Sequence, residues 1–116
     1  MTIVYGIKNC DTVKKSRRWL DDHGVEYRFH DFRADGLTRA QLKGWVAAVG
    51  WEALLNRRGT TWRKLPEAER EGITAARAER LMLEEPTLIK RPVIEADNTV
   101  LVGFDEEDYR KRFEKR

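Results

Sequence analysis

Within roughly the first 30 residues the hydrophobic period changes twice, which is the span of one βαβ unit. Residues 2–5 (TIVY) are short, β-branched and aromatic, as a buried strand requires. Asp11 then offers a helix N-cap, Val13, Ser16 and Leu20 fall on one helical face, and Gly24 stands where such a helix would stop. Val25, Tyr27 and Phe29 next alternate with Glu26, Arg28 and His30, a period of two that marks a second strand. A strand, a helix and a strand in this order predict a parallel pair joined by a right-handed crossover.

The middle of the chain reads differently. Residues 38–41 (TRAQ) match a capping box, followed by Leu42, Trp45, Val46 and Val49 on one face and by Gly50 as a stop. Residues 52–56, 62–65 and 74–83 read as further short helices, broken by Gly59, Pro66, Gly72 and Pro86. Beyond them, residues 92–96 and 99–103 are strand-like runs around Asp97-Asn98, a hairpin turn. Asp105 caps a last helix with Tyr109 and Phe113 four apart on its apolar side, at the start of the basic tail YRKRFEKR. The order is β-α-β, a helical block, β-β and α. This is an α/β chain of thioredoxin-like topology, a four-stranded mixed sheet built as βαβ plus ββα. One domain is expected over 1–116, with its core in 1–34 and 87–116 and a helical insertion over about 35–86.

Composition removes several classes of function. A chain of 116 residues, 41% hydrophobic, can bury a core without disulfides or metal. The longest apolar runs, such as 99–104, fall well short of a membrane span, and Met1 leads straight into a strand, so a cytoplasmic monomer off the membrane is expected. Two histidines without a carboxylate cluster make a poor metal site, and no metal is expected. The net charge of +3 comes from interleaved signs, with no long basic stripe on any helix. A solvated surface is therefore favoured over a nucleic-acid face. His23 and His30 read as structural, Trp45, Trp51 and Trp62 as packing, and the acidic run 105–108 as helix N-terminal charge.

One position carries chemistry. Cys10 is the only cysteine, and it falls between the first strand and the first helix, where unpaired N–H groups and the helix dipole favour an anion. Thiols in such settings beside basic residues are acidified from about 8.5 to roughly 3.5–7.5, and Lys8, Lys14 and Lys15 are near in sequence. Position alone weighs this evenly against an inert, half-buried cysteine, since free cysteine also serves as a small hydrophobe.

The stretches YGIKNCDTVKKSRRWL, YRFHDFR, LLNRRGTTWRKL, PTLIKRPVI and LVGF, taken in order, resemble the ArsC/Spx superfamily and within it the YffB-type members. The resemblance covers nearly the whole chain. It implies a thioredoxin-like fold with a helical insertion and a catalytic cysteine at Cys10. It also implies an anion-binding Arg91 and a cis-proline at Pro92. The family's further basic residue falls on Arg57 or Arg58; the glycine followed by an aromatic three residues on favours Arg58.

The departures narrow the chemistry. Glutathione/glutaredoxin-coupled arsenate reductases carry a histidine where this chain has Gly6, and an arginine where it has Phe104. Their continuation after the cysteine is replaced by CDTVKK. Losing one arginine from an oxyanion site weakens binding by about 1.5–3 kcal/mol, which argues against efficient arsenate reduction. Val13 stands where a C-x-x-C switch would need a second cysteine, so an internal disulfide switch is excluded. A mixed disulfide at Cys10 must be resolved by an outside thiol. Glutathione, an anionic tripeptide, is the expected co-substrate, with glutaredoxin as a possible partner and no permanently bound cofactor. Cys10 and Arg91 are then the catalytic pair. Lys8, Asn9, Asp11, Thr12, Arg58 and Pro92 are the expected binding residues. The alternatives are an Spx-like regulator that binds RNA polymerase and a weak arsenate reductase.

Overall fold

The computed structural model describes residues 1–114; Lys115 and Arg116, the end of the basic tail, lie outside the described residues. In chain order the elements are β1 (Thr2–Gly6), α1 (Asp11–Asp22), β2 (Arg28–Asp31), α2 (Phe32–Asp35), α3 (Arg39–Val49), α4 (Trp51–Leu54), α5 (Thr60–Lys64), α6 (Glu67–Arg70) and α7 (Ala75–Glu84). A 3-10 turn (Pro86–Leu88), β3 (Val93–Ala96), β4 (Thr99–Val102) and α8 (Glu106–Phe113) follow. The chain forms two compact units. Met1–Gly36 and the chain from Arg91 on make the first, and Leu37–Lys90 the second.

The first unit is a four-stranded sheet in the order β2-β1-β3-β4. β1 runs parallel to β2 and antiparallel to β3, and β3 and β4 form a hairpin closed by the Ala96–Thr99 pair. This is the thioredoxin-like arrangement that the order of periods predicts. Because side chains alternate across a strand, Val4, Ile94 and Ala96 share one face. There they pack with Trp19 and Leu20 of α1 and Tyr109 of α8, all nearly or fully buried. The buried face of α1 holds Val13, Ser16 and Leu20, as the sequence spacing predicts, and also Trp19.

In the second unit α3 begins at the expected capping box: the Gln41 N–H donates to Thr38 Oγ1 and the Thr38 N–H to Gln41 Oε1. α3 buries Leu42 and Trp45, and α7 buries Ala78, Leu81 and Met82. An antiparallel bridge joins Leu55 to Ile89.

Several boundaries differ from the reading of the sequence. The second strand begins at Arg28, not Val25, because the parallel ladder with β1 opens at the Ile3–Arg28 pair. Val25 and Tyr27 still pack against the core, so their alternation reported burial without strand pairing. The N-cap of α1 is Cys10, not Asp11: Cys10 is extended and its carbonyl accepts the Lys14 N–H at 2.9 Å. α4 ends at Leu54 because Leu55 leaves the helix for its bridge to Ile89. α2, α6 and the 3-10 turn have no counterpart in the periodicity. Each is a turn or so long, too short to display one.

Candidate active site

The end of β1 and the start of β3 set the geometry. Tyr5 pairs with Val93, the last rung of the antiparallel ladder, and one step beyond it lie Gly6 and Pro92. From Gly6 the chain runs through buried Ile7 and exposed Lys8 and Asn9 to half-buried Cys10, and from there directly into α1. The Arg91–Pro92 peptide bond is cis. Pro92 is buried, and its carbonyl accepts the Gly103 N–H at 2.8 Å. One end of the sheet thus carries both the strand that leads to the thiol and the Arg91-Pro92 pair.

As N-cap, Cys10 is the last non-helical residue before the free N–H groups of a helix of 12 residues, and its side chain makes no capping bond. Asp11 and Thr12 are exposed on the first turn. A thiolate at this position has the positive end of the dipole next to it. Arg91 is half-buried.

Gly6 and Phe104, where the sequence departs from arsenate reductases, are both taken up by packing. A Cβ at Gly6 would stand 2.8 Å from Val13 Cγ2 and 3.3 Å from Cγ1, so the glycine lets the end of β1 approach α1. The Phe104 ring meets Tyr109 edge-on at 5.2 Å.

Arg58 belongs to the second unit and is exposed; its N–H donates to Asn56 Oδ1 at 3.0 Å. Arg57 is differently engaged. Its guanidinium lies 5.4 Å from the Trp51 ring and 5.7 Å from the Trp62 ring. The sequence pattern favours Arg58 of the two. It also passed over Lys90, which lines the same groove as both arginines; the only hint was its place beside Arg91 in IKRPVI. Among the described residues no cluster of three or more histidine, cysteine or acidic side chains could hold a metal, and no helix is long and apolar enough to cross a membrane.

Residues 5–112 match the model of the ArsC family. A protein of Haemophilus influenzae without an assigned function is 47% identical over 97% of this chain and 99% of its own. The global transcriptional regulator Spx of Listeria innocua is 23% identical over 100% of this chain and 89% of its own. Among solved structures, a protein called YFFB is 49% identical with a TM-score of 0.94, over 97% of this chain and 99% of the other. An arsenate reductase (ArsC) related protein from Brucella melitensis is 50% identical with a TM-score of 0.78, over 98% and 95%.

Proposed function

The chain belongs to the ArsC family, and from that premise we propose that it is a glutathione-dependent monothiol reductase with Cys10 as its nucleophile. The observation that carries the reading is the single cysteine at the N-cap of α1, at the sheet end that also holds Arg91-Pro92. The description of the Brucella relative as related to an arsenate reductase speaks for redox chemistry. The packing taken up by Gly6 and Phe104 speaks against an arsenate pocket.

The Cys10 thiolate attacks the glutathione sulfur of a mixed disulfide. A Cys10–glutathione disulfide forms, and the substrate leaves as its thiolate, which takes up a proton. A second glutathione, as thiolate, then attacks the Cys10-bound glutathione sulfur. Glutathione disulfide departs and Cys10 is released as thiolate. The substrate mixed disulfide is reduced to its thiol and one free glutathione is consumed, leaving as glutathione disulfide together with the glutathionyl group the substrate carried; the resolving thiol comes from outside, as the one-cysteine inventory requires. Arg91 holds the anionic peptide or steadies the thiolate, and the N–H groups of Asp11 and Thr12 face the same charge. Lys8 and Asn9 contribute to binding, and Pro92 borders the peptide.

The test is turnover of a glutathionylated peptide with glutathione, followed together with the mass of the enzyme. A glutathione adduct of the wild-type chain, no turnover in Cys10→Ser and a kcat/KM lowered about tenfold or more in Arg91→Ala are expected. Turnover retained in Cys10→Ser would end the proposal. A regulator is the second reading, favoured by similarity to Spx along the whole chain. It predicts capture of RNA polymerase by wild-type and Cys10→Ser chains alike, without thiol turnover. Arsenate turnover with glutathione and glutaredoxin is expected to stay at background.

A further inference from the structure

A groove of about 320 Å3 opens on the second unit, lined by Glu52, Leu55, Asn56, Arg57, Arg58 and Lys90. Three cations and one carboxylate share it. Among the described residues, ion pairs hold Lys43, Arg80, Arg110 and Arg112 to carboxylates, and Arg57, Arg58 and Lys90 take part in none of them.

The cations are mounted on a bonded frame. The Leu55–Ile89 bridge is flanked by the Asn56 N–H donating to the Leu88 carbonyl at 2.7 Å and the Lys90 N–H donating to the Leu54 carbonyl at 2.7 Å. The Arg58 N–H is turned onto Asn56 Oδ1, and the Arg57 guanidinium rests beside two indole rings. Like charges gathered in one groove repel one another, and an anion entering between them relieves that repulsion. Glu52 adds an acceptor for a cation at the same groove, and Leu55 an apolar contact.

We propose that this groove binds the free amino-acid end of a small peptide, its carboxylate held by Arg57, Arg58 and Lys90 and its ammonium by Glu52. The γ-glutamyl end of glutathione has this pair of charges; naming glutathione rests on the thiol-reductase reading, whereas the groove's charge pattern does not. Arg57 and Lys90 are then specificity residues, and the inference concerns recognition of that end alone.

The probe is S-methylglutathione, whose capped sulfur cannot exchange with Cys10. In nuclear magnetic resonance titrations of the full chain, the indole N–H signals of Trp51 and Trp62 should shift saturably while those of buried Trp19 and Trp45 stay in place. Lys90→Ala and Arg57→Ala should each weaken binding about tenfold, the effect of one lost charge-assisted bond. The unmoved Trp45 signal in each variant reports that the unit is folded. Unchanged affinity in both variants, or no response of Trp51 and Trp62, overturns the proposal. So does displacement of the probe by an equal concentration of inorganic phosphate, which would mark a general anion site. The two readings separate cleanly: a glutathione adduct at Cys10 with silent Trp51 and Trp62 removes only the groove. Probe binding in Cys10→Ser, with no adduct or turnover in the wild type, removes only the reductase.

Discussion

At the scale of single residues, Gly6 shows how a site is shaped by an atom left out. Val13 is fully buried, and its branched side chain has few rotamers to move into, so a Cβ at 2.8 Å must displace α1 or strain the strand. Because Cys10 opens α1, the displacement reaches the thiol's setting. Gly6→Ala is expected to cost about 1–3 kcal/mol of stability, as overpacking does, and Val13→Ala added to it should recover part of that loss. Urea unfolding of the two single variants and the double variant measures the coupling; strict additivity would show that the contact does not matter. The sequence revealed the missing histidine at position 6 but not what glycine does there, because the contact depends on how closely a helix meets a strand. The same limit applies to Arg57 and Arg58. Both are arginines in a loop, and only the placement of Trp51 and Trp62 gives Arg57 its distinct role. Cys10 itself was legible, since a cysteine between a strand and a helix depends only on local order.

At the scale of elements, α8 docks through one buried hydroxyl. Asp105 caps the helix, accepting the Glu107 and Asp108 N–H groups at 2.9 and 3.2 Å. Tyr109, four residues on, donates to the Gly103 carbonyl at 2.8 Å and accepts from Ser16 of α1 at 2.8 Å. Burial pushes the Tyr109 phenol up to about 12, against a smaller opposing effect of Ser16. The unfolded chain loses this proton near 10 while the folded chain keeps it, so stability is intact below pH 10 and declines as pH rises through 12. The decline amounts to roughly 3 kcal/mol. Tyr109→Phe should lose about 1–2 kcal/mol at pH 7, where Ser16 is left unpaired, and should show less of the alkaline decline. Equal slopes of stability against pH between 10 and 12 in the two chains would refute this. α1, α3 and α8 were legible because periodic faces are local, as are the side-chain caps of α3 and α8; α1 has no side-chain cap, and its start was read one residue late. α2, α6 and the 3-10 turn were not legible, because helices so short form only where tertiary contacts hold them, and the start of β2 was set by its partner strand.

At the scale of the whole chain, the sheet-forming unit is built from two stretches of sequence and the helical unit from one. What the order of periods could not show is how distant segments of the first unit are tied. Asp97, in the β3–β4 turn with φ of 56°, accepts from Arg112 Nη2 at 2.6 Å and pairs with the Met1 ammonium at 3.5 Å. Three remote pieces of chain therefore meet at one carboxylate. Its hydrogen bond to Arg112, followed by the pull of the Met1 ammonium, holds the Asp97 carboxyl below the usual carboxylate range. A carboxyl depressed in the folded state adds stability above its unfolded pKa, and that stability disappears as pH falls through the folded value. Asparagine tolerates the same left-handed backbone, so Asp97→Asn removes the charge and leaves the turn. The variant should be less stable than the wild type at pH 7, by a small margin because the pair is largely exposed and screened by salt. Denaturant midpoints taken from pH 7 down to pH 2 should converge as Asp97 takes up its proton. A gap that persists at the acid end, or that ignores added salt, would mean that the turn and not the charge joins these segments.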